Sequence, residues 1–314
     1  MKVDETDKLI LFELVQDSRK PVSHIAKTVD LPQQTTSRRI ANMEKAGIIK
    51  KYTIDVDYHK LGFDKHSLYL DLQGINKKDM DGYLDRMKNI EEVSCRYTLH
   101  PVSKWTFYVS IWTSDIKRYN EVQSEIIDIF GDHVRDYLSF QSVKSHIYFA
   151  KILNPKGKAK VDIKEGLGDI RLDKTDWKII RSLKKNSKIT ALDLGLKLGL
   201  NASSISKRIN SLKKEGIIQR FYPLLDIKKL GYSEYGFIIR ANPLQKEKIE
   251  KLVAFAEKDP RSVILTKSAG HFNLHYDFLV EDDNSLSDML HKVDEILGNG
   301  ILEGHKIKVD SMIS

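Results

Sequence analysis

Apolar residues recur at helical spacing in one stretch that predicts the best-defined helix of the chain. Within Leu200–Phe221, the residues Ile205, Ile209 and Leu212 fall at positions i, i+4 and i+7, so they share one side of a helix. Gly216 stands where a helix-ending residue belongs, and a β-branched pair follows it. The pattern predicts a helix that packs one side on a core, followed by a strand.

A diverged form of this stretch occurs 169 residues earlier. The same offset pairs Asp7 with Asp176 and continues without a gap as far as Leu61–Gly62 and Leu230–Gly231. Chance does not keep one register over such a length. The chain is therefore a tandem duplication, and its halves are called the first and the second repeat.

Each repeat begins with three predicted helices and a strand, which describe a winged helix-turn-helix. Downstream, the apolar period changes from 3.6 toward 2, in the order βαββαβ. That order predicts an antiparallel sheet with both helices on one face, the ferredoxin-like arrangement. The predicted fold class is α+β, with two winged helix-turn-helix domains alternating with two ferredoxin-like domains.

The predicted boundaries lie at these changes of period. They are helix-turn-helix 1 at 1–62, ferredoxin-like domain 1 at 63–153, a linker at 154–170, helix-turn-helix 2 at 171–231 and ferredoxin-like domain 2 at 232–314. The linker contains one proline, three glycines and five residues that are lysine or glutamate, and it has no sustained apolar period, so we expect it to be mobile. At about 3.3 Å per residue it could extend roughly 50 Å, enough to let the second helix-turn-helix sit well away from the first.

Positive charge is concentrated in two places. The segments 31–52 and 200–221 each contain five cations and one anion, so together they account for the whole net charge of +8. Clustered positive charge beside a helix that can enter a groove is typical of a nucleic-acid-binding protein. The alternative is that these segments are merely solvated helix faces. The presence of a second, matching basic face makes this alternative weaker.

Composition excludes several classes of protein. With 41% hydrophobic and 31% charged residues, the chain has a globular composition, and no apolar run is long enough to cross a membrane. The polar N-terminus has no signal-peptide pattern, so we expect a cytoplasmic protein with no membrane partner. A single cysteine, Cys95, excludes a disulfide framework.

No catalytic motif is apparent. Phosphate-cradling glycine loops, nucleophile elbows and paired carboxylates are absent from the sequence. The histidines lack ligand spacing: His271 and His275 would lie about 13 Å apart on one strand face. We therefore expect no catalytic residues, no cofactor and no metal site.

The helix-turn-helix segments resemble a known family. The run LDKTDWKIIRSLKKNSKITALDLGLKLGLNASSISKRINSLKKEGIIQRFYPLLDIKKLGY closely resembles the DNA-binding domain of the Lrp/AsnC (feast/famine) transcription regulators, and Val3–Phe63 resembles it more loosely. The segment after each run is similar to that family's βαββαβ effector and oligomerisation domain. The resemblance implies a transcription regulator that binds double-stranded DNA. Because family members usually carry one such unit per chain, it also implies an intramolecular pseudo-dimer or a homo-oligomer formed through the ferredoxin-like domains.

The resemblance also implies which side chains read the DNA. The candidates on the outward faces and first turns of the two recognition helices are Gln33, Gln34, Thr35, Ser37 and Arg38 in the first repeat, and Ala202, Ser203, Ser204, Ser206 and Lys207 in the second. Glutamine and arginine can bond adenine and guanine edges, whereas serine and threonine can bond bases or phosphates.

Five further cations are candidates for phosphate contacts, which position a protein without reading sequence. They are Arg39, Arg208, Lys50, Lys51 and Arg220. For Arg39 and Arg208, an ion pair within the domain is the alternative.

The two reading helices begin differently. The first repeat has Pro32 where the second has the helix-capping Asn201. Because the reading faces also differ, we expect an asymmetric DNA site or strong binding through one half only.

A Gly-x-x-Asp loop in many relatives helps to bind an amino acid. Here Gly270 and Asn273 occupy the loop, with an amide in place of the acid, and the first repeat has no glycine at the matching place. The two residues are the candidates for an amino-acid-like effector, and a structural role as a tight turn is the alternative.

The second functional hypothesis is that the protein is an enzyme. Siroheme decarboxylases share this architecture and sometimes occur as fused pairs, and the segment 93–97 with His100, Lys104 and Trp105 is similar to their tetrapyrrole-binding strand. In that reading, Arg96 would hold propionates and a histidine or tyrosine would assist proton transfer. A corepressor subunit that does not bind DNA is a third possibility.

Overall fold

The structure of the chain is a computed structural model, and it describes residues 2–101, 103–148, 150–157, 161–165 and 168–313. Among these residues, no helix has the length and apolarity that a membrane span requires.

Helices and strands follow the predicted order in both repeats. The helices are α1 Glu5–Gln16, α2 Val22–Thr28, α3 Gln33–Lys45, α4 Lys77–Met87, α5 Ile116–Phe130, α6 Lys174–Lys185, α7 Ala191–Leu198, α8 Ala202–Lys214, α9 Lys246–Lys258 and α10 Asp283–Leu297. The strands are β1 Ile49–Val56, β2 Asp64–Leu72, β3 Val93–Leu99, β4 Phe107–Thr113, β5 Val134–Tyr148, β6 Val161–Glu165, β7 Ile218–Leu225, β8 Ser233–Ala241, β9 Ser262–Ala269, β10 Leu274–Val280 and β11 Ile301–Ile313.

The described residues form two compact units. The first unit holds both helix-turn-helix repeats, in residues 2–61, 150–157 and 168–232. The second holds both ferredoxin-like repeats, in residues 62–148, 161–165 and 233–313. Each unit thus combines two segments that are distant in sequence.

In the first unit, strands β1 and β7 pair with each other. They form an antiparallel two-stranded sheet in which Thr53 lies opposite Tyr222. The linker is long enough to let the second helix-turn-helix sit well away from the first, but in the structure the two repeats pair directly. The strand after each recognition helix finds its hydrogen-bond partners in the other repeat, because unpaired backbone groups at a strand edge favour pairing.

The apolar stripe that predicted helix α8 faces a core. Ile205, Ile209 and Leu212 are all buried. The same core contains Ile54 and Val56 from strand β1 of the first repeat. Part of the hydrophobic free energy of the second helix-turn-helix therefore depends on the first repeat being folded.

In the second unit, eight of the described strands close into a ring. Each repeat supplies four antiparallel strands in the order β5-β2-β4-β3 or β11-β8-β10-β9, which is the ferredoxin-like order. The edges then join, because β3 pairs with β11 and β5 pairs with β9. A closed ring leaves no exposed edge among these eight strands.

Side chains alternate between the two faces of the ring. Leu68, Leu70 and Phe107 pack on the helices of the first repeat, and Leu274 and Phe278 pack on those of the second. The opposite face forms a shared cluster from both repeats, with Tyr69, Tyr108, Phe140, Ile238, Phe272 and Ile307 buried in it.

The predicted linker is partly ordered, which corrects the expectation that it lacks structure. Val161–Glu165 forms strand β6, which pairs with β5 through His146 opposite Ile163. The alternation of valine and isoleucine with charged residues in this segment is the sequence signal for a strand. Linker residues 158–160 and 166–167 lie outside the described residues.

Candidate nucleic-acid interface

The recognition helices α3 and α8 begin as their sequences predict. Asn201 caps α8, and its Oδ1 atom accepts a hydrogen bond of 2.8 Å from the Ser204 backbone N–H. The Ser203 hydroxyl donates to the same oxygen at 2.9 Å. Helix α3 begins after Pro32, which provides no side-chain cap. An uncapped first turn leaves backbone N–H groups available to a phosphate.

The outward faces of the two helices differ in chemistry. The exposed candidates are Gln33, Gln34, Ser37 and Arg38 on α3, and Ser203, Ser206 and Lys207 on α8, while Thr35, Ala202 and Ser204 are half-buried. Among the described residues, neither Arg38 nor Lys207 makes an ion pair. Both cations are therefore open to an external anion.

Arg39 and Arg208 hold the helix-turn-helix together. Arg39 Nη1 donates to Asp4 Oδ2 at 2.9 Å and to Asp7 Oδ1 at 2.8 Å. Arg208 forms the same fork 169 residues later, with Asp173 and Asp176 as acceptors at 2.8 Å each.

These forks favour the ion-pair alternative over a phosphate role. The backbone N–H of Asp176 and then the Arg208 guanidinium lower the pKa of the Asp173 carboxyl, so the pair is fully charged at neutral pH. Each arginine ties a recognition helix to the first turn of the first helix in its own repeat.

Arg220 is buried, so the prediction that it is an exposed wing cation is wrong. Its side chain is 8% exposed, and Nη2 donates to Asp55 Oδ2 at 2.8 Å across the β1–β7 pair. The contact could not be predicted from the sequence because Asp55 belongs to the other repeat.

The wing lysines of the first repeat remain accessible. Lys50 is 41% exposed and lies 3.5 Å from Asp226. Lys51 is half-buried, and burial followed by the charge of Lys184 lowers the pKa of its ammonium group. An anion near Lys51 would relieve this repulsion.

Reciprocal hydrogen bonds join the two repeats across the small sheet. The Ser18 backbone N–H donates to the Phe221 carbonyl at 2.8 Å, and the Ser187 N–H donates to the Tyr52 carbonyl at 2.9 Å.

In each repeat, the residue after this serine places a cation over an aromatic ring of the other repeat, at equivalent positions. The Arg19 guanidinium lies 4.0 Å from the Phe221 ring centre, and Lys188 Nζ lies 3.6 Å from that of Tyr52. The contacts obey the repeat offset, so the two halves are related by a pseudo-two-fold arrangement.

One lysine connects each recognition helix to the other repeat. Lys60 Nζ donates to the Glu215 carbonyl at the end of α8 at 2.9 Å, and Lys229 Nζ donates to the Ala46 carbonyl at the end of α3 at 2.6 Å. A cation at a helix C-terminus satisfies an orphan carbonyl and complements the helix dipole.

The glycine after each helix makes room for these lysines. Gly47 has a φ of +66°, and a Cβ atom there would lie 2.8 Å from Lys229 Nζ. Sequence reasoning missed both lysines, although they recur at the 169-residue offset and could have been found by it.

The candidate effector residues have structural roles. Asn273 Oδ1 accepts from the Ala241 N–H and Nδ2 donates to the Ala241 carbonyl, both at 2.8 Å. In the first repeat, the Thr106 hydroxyl accepts from the Leu72 N–H at 2.8 Å, at the matching end of the sheet. Gly270 has a φ of +144°, which suits a tight turn. The Asn273 amide therefore bonds the Ala241 backbone through both of its polar atoms, which supports the tight-turn alternative, and an effector contact there stays a prediction.

The residues that the siroheme decarboxylase hypothesis names lie in different environments. Cys95 and Tyr97 on β3 pack on the apolar cluster inside the ring, and Trp105 is buried. Lys104 lies over the Trp105 ring and 3.4 Å from Asp136. The Arg96 side chain lies outside the described part of the structure.

No metal centre is present among the described residues, where no group of three or more histidine, cysteine, aspartate or glutamate side chains could hold an ion. His271 lies 2.8 Å from Glu303, and His275 lies 2.8 Å from Asp277. Each of these histidines is therefore paired with a carboxylate.

Comparison with known families supports the helix-turn-helix assignment. The sequence model of the winged helix-turn-helix DNA-binding family matches residues 3–50 and 172–219. These ranges contain α1 to α3 and α6 to α8, and they agree with the duplication.

Curated relatives share one repeat with the chain. Transcriptional regulator AzlB of Bacillus subtilis is 31% identical over 118 residues, which is 37% of this chain and 74% of AzlB. The HTH-type transcriptional regulator LrpC of the same organism is 30% identical over 92 residues, covering 29% of this chain and 64% of LrpC.

Solved structures of one protein, a siroheme decarboxylase, match the chain along its length. The siroheme decarboxylase NirDL superposes with a TM-score of 0.61 at 12% sequence identity, covering 98% of this chain and 92% of NirDL. At this identity, the likeness establishes the fold alone.

Proposed function

The chain belongs to the Lrp/AsnC family of transcriptional regulators, and we infer that its two helix-turn-helix repeats act as one DNA-reading unit. Double-stranded DNA is the partner, and the protein would act in the cytoplasm. The observation that carries the proposal is the fixed connection between the recognition helices. Strand pairing, the Ser18 and Ser187 hydrogen bonds and the two lysine contacts all cross between the repeats.

A rigid pair of recognition helices has consequences for the DNA site. If both helices enter the major groove, the half-sites should lie about 34 Å apart, one helical turn, or a multiple of it. The reading faces are chemically different, so the two half-sites should differ in sequence. The chain would then bind a non-palindromic operator in one orientation.

We assign base reading to the exposed polar side chains of the two helices. Gln33, Gln34 and Arg38 suit adenine and guanine edges, and Ser206 with Lys207 supplies a donor pair in the second half-site. Phosphate contacts fall to Lys50 and Lys51, together with the uncapped start of α3. Arg39, Arg208 and Arg220 are assigned to ion pairs within the protein and not to DNA contacts.

Binding to DNA fragments tests the proposal. Fluorescence anisotropy with fragments from upstream of the reading frames, the protein's own included, should show binding that weakens steeply between low and physiological salt. A footprint on a bound fragment should show two protected segments at the half-site spacing. If no fragment binds, the regulator function is refuted.

A matched pair of variants tests the assignment of residues. Ser206→Ala with Lys207→Ala should reduce discrimination between operator and unrelated DNA by about 10-fold or more, since each good base contact is worth about 1–3 kcal/mol. Lys251→Ala removes a lysine that is 64% exposed on α9 and should leave DNA binding unchanged. Equal losses on all sequences from the Ser206 and Lys207 changes would contradict base reading.

Siroheme decarboxylation is the second candidate. The observation that favours it is that this chain has the same fold as NirDL along its full length. The same protein preparation tests it: titration with siroheme should give no spectral change if the chain is a regulator only. Binding of siroheme with loss of carboxylate, and no binding to DNA, would replace the regulator proposal.

A small-molecule effector of the amino-acid kind would bind at a loop whose Asn273 side chain already bonds the Ala241 backbone. The exposed backbone around Gly270 would offer it further hydrogen-bonding groups. Calorimetric titration with the standard amino acids tests this, and Asn273→Ala would then affect stability more than affinity.

A further inference from the structure

Helix α7 of the second repeat presents a row of leucines to solvent. Leu192 is 61% exposed and Leu196 is 76% exposed, one helical turn apart. Leu200, at 36%, continues the row just beyond the helix. Single exposed leucines are ordinary on a protein surface, but three within nine residues form an apolar patch that indicates an interaction site.

The first repeat shows that the fold does not need these leucines. Ser23 and Lys27 stand at the positions that match Leu192 and Leu196. Both repeats build the same three-helix arrangement, and α2 packs well with a serine and a lysine there. Leu192 and Leu196 are therefore specific to the second repeat, whereas Leu200 matches Leu31 of the first. Packing within its own domain does not explain the two leucines of the helix.

Charged residues flank the leucine row in a self-complementary pattern. Asp193 and Lys197 are exposed, lie one turn apart, and follow Leu192 and Leu196 by one position each. When two such helices pair antiparallel about a two-fold axis, Leu192 of one molecule meets Leu196 of the other, and Asp193 comes within reach of Lys197 on the same flank. A parallel pairing would instead place like charges together.

We propose that the face formed by Leu192, Leu196 and Leu200 docks on the same face of a second molecule of this chain, in an antiparallel α7–α7 contact. A specific interface usually buries about 800 Å² on each partner, and this patch is smaller. The contact is therefore a weak, concentration-dependent association and not a permanent dimer. The inference does not depend on DNA binding.

Sedimentation velocity of the full-length protein over a concentration series tests the proposal. The parent should show reversible association as concentration rises. Leu192→Ser with Leu196→Lys gives the second repeat the residues of the first, and it should weaken association roughly tenfold or more. Leu244→Ser is the matched control, since Leu244 is a leucine that is 89% exposed and belongs to the second unit rather than to α7. This control should associate like the parent.

A charge swap tests the antiparallel geometry. Lys197→Asp alone places two carboxylates together at each end of the contact and should weaken association. Adding Asp193→Lys restores opposite charges and should recover it. Asp193 also bonds the Thr190 hydroxyl at the start of α7, so the thermal melt of each variant checks that the unit is folded.

Three results would overturn the proposal. They are a parent that stays monomeric at every concentration, a leucine variant that associates as the parent does, and a charge swap that does not restore association. The charge variants keep every leucine, so they decide the question even where the leucine variant is poorly folded.

Discussion

Replacing Arg220 distinguishes a structural arginine from a DNA contact. Its guanidinium is 8% exposed and bonds Asp55 Oδ2 at 2.8 Å, and the Asp55 side chain is itself only 17% exposed. Arg220→Met would remove the guanidinium that bonds this mostly buried carboxylate. Breaking a buried pair in this way costs about 3–5 kcal/mol. For a unit of this size, the melting temperature should fall by roughly 10–20 °C.

Salt dependence separates this cost from a lost phosphate contact. Each phosphate contact contributes about 0.9 to the slope of log affinity against log salt. Arg220→Met should keep the parent slope at temperatures where the protein is folded, because Arg220 does not reach the DNA. Lys50→Ala is the comparison: Lys50 is 41% exposed on the neighbouring strand, so its loss should lower the slope with little change in melting temperature.

A second substitution should reverse the destabilisation. Asp55→Leu with Arg220→Met replaces the buried ion pair by an apolar pair, which is often neutral or stabilising. The double variant should therefore recover the melting temperature and the parent affinity for DNA. The reasoning is refuted if Arg220→Met melts like the parent while its salt slope falls by about one unit.

Three other sets of substitutions have defined expected outcomes. Burial and then the charge of Asp277 raise the pKa of the Glu234 carboxyl to about 8. Between about pH 4 and 8 the unfolded chain ionises this group and the folded chain does not, so the free energy of unfolding should fall as the pH rises. Glu234→Gln should remove this pH dependence in thermal melts across the same range. Lys60→Ala with Lys229→Ala should cost about 0.3–1 kcal/mol per helix end and relax the preference for one half-site spacing, as binding to operators with altered spacers would show. Asn201→Ala should cost about 1 kcal/mol of stability through the lost cap of α8, measured by denaturant unfolding.

Local patterns predicted the elements because each pattern reports on its own segment. The stripe of Ile205, Ile209 and Leu212 is buried as its spacing required, and Asn201 caps its helix as its side chain allows. The change of period to two placed the ferredoxin-like strands in both repeats. The 169-residue offset established the duplication without any structure.

Partners across the duplication could not be predicted in this way. Residue alternation tells which face of a strand is buried, but it does not tell which strand lies beside it. Arg220 therefore had the pattern of an exposed basic residue until β1 brought Asp55 opposite it. For the same reason, the sequence predicted a ferredoxin-like sheet in each repeat and a pseudo-dimer or homo-oligomer through these domains, but not the pairing of β3 with β11 and of β5 with β9 that joins the two sheets into one ring.

The sequence by itself determined the two repeats, their elements, the charge on the reading helices and the family. Tertiary structure alone decided which cations are available to DNA and how the two readers are held together. The physical reason is that charge availability depends on what lies within hydrogen-bond distance. For Arg220, Lys60 and Lys229, the partner is supplied by the other repeat, more than a hundred residues away in the chain.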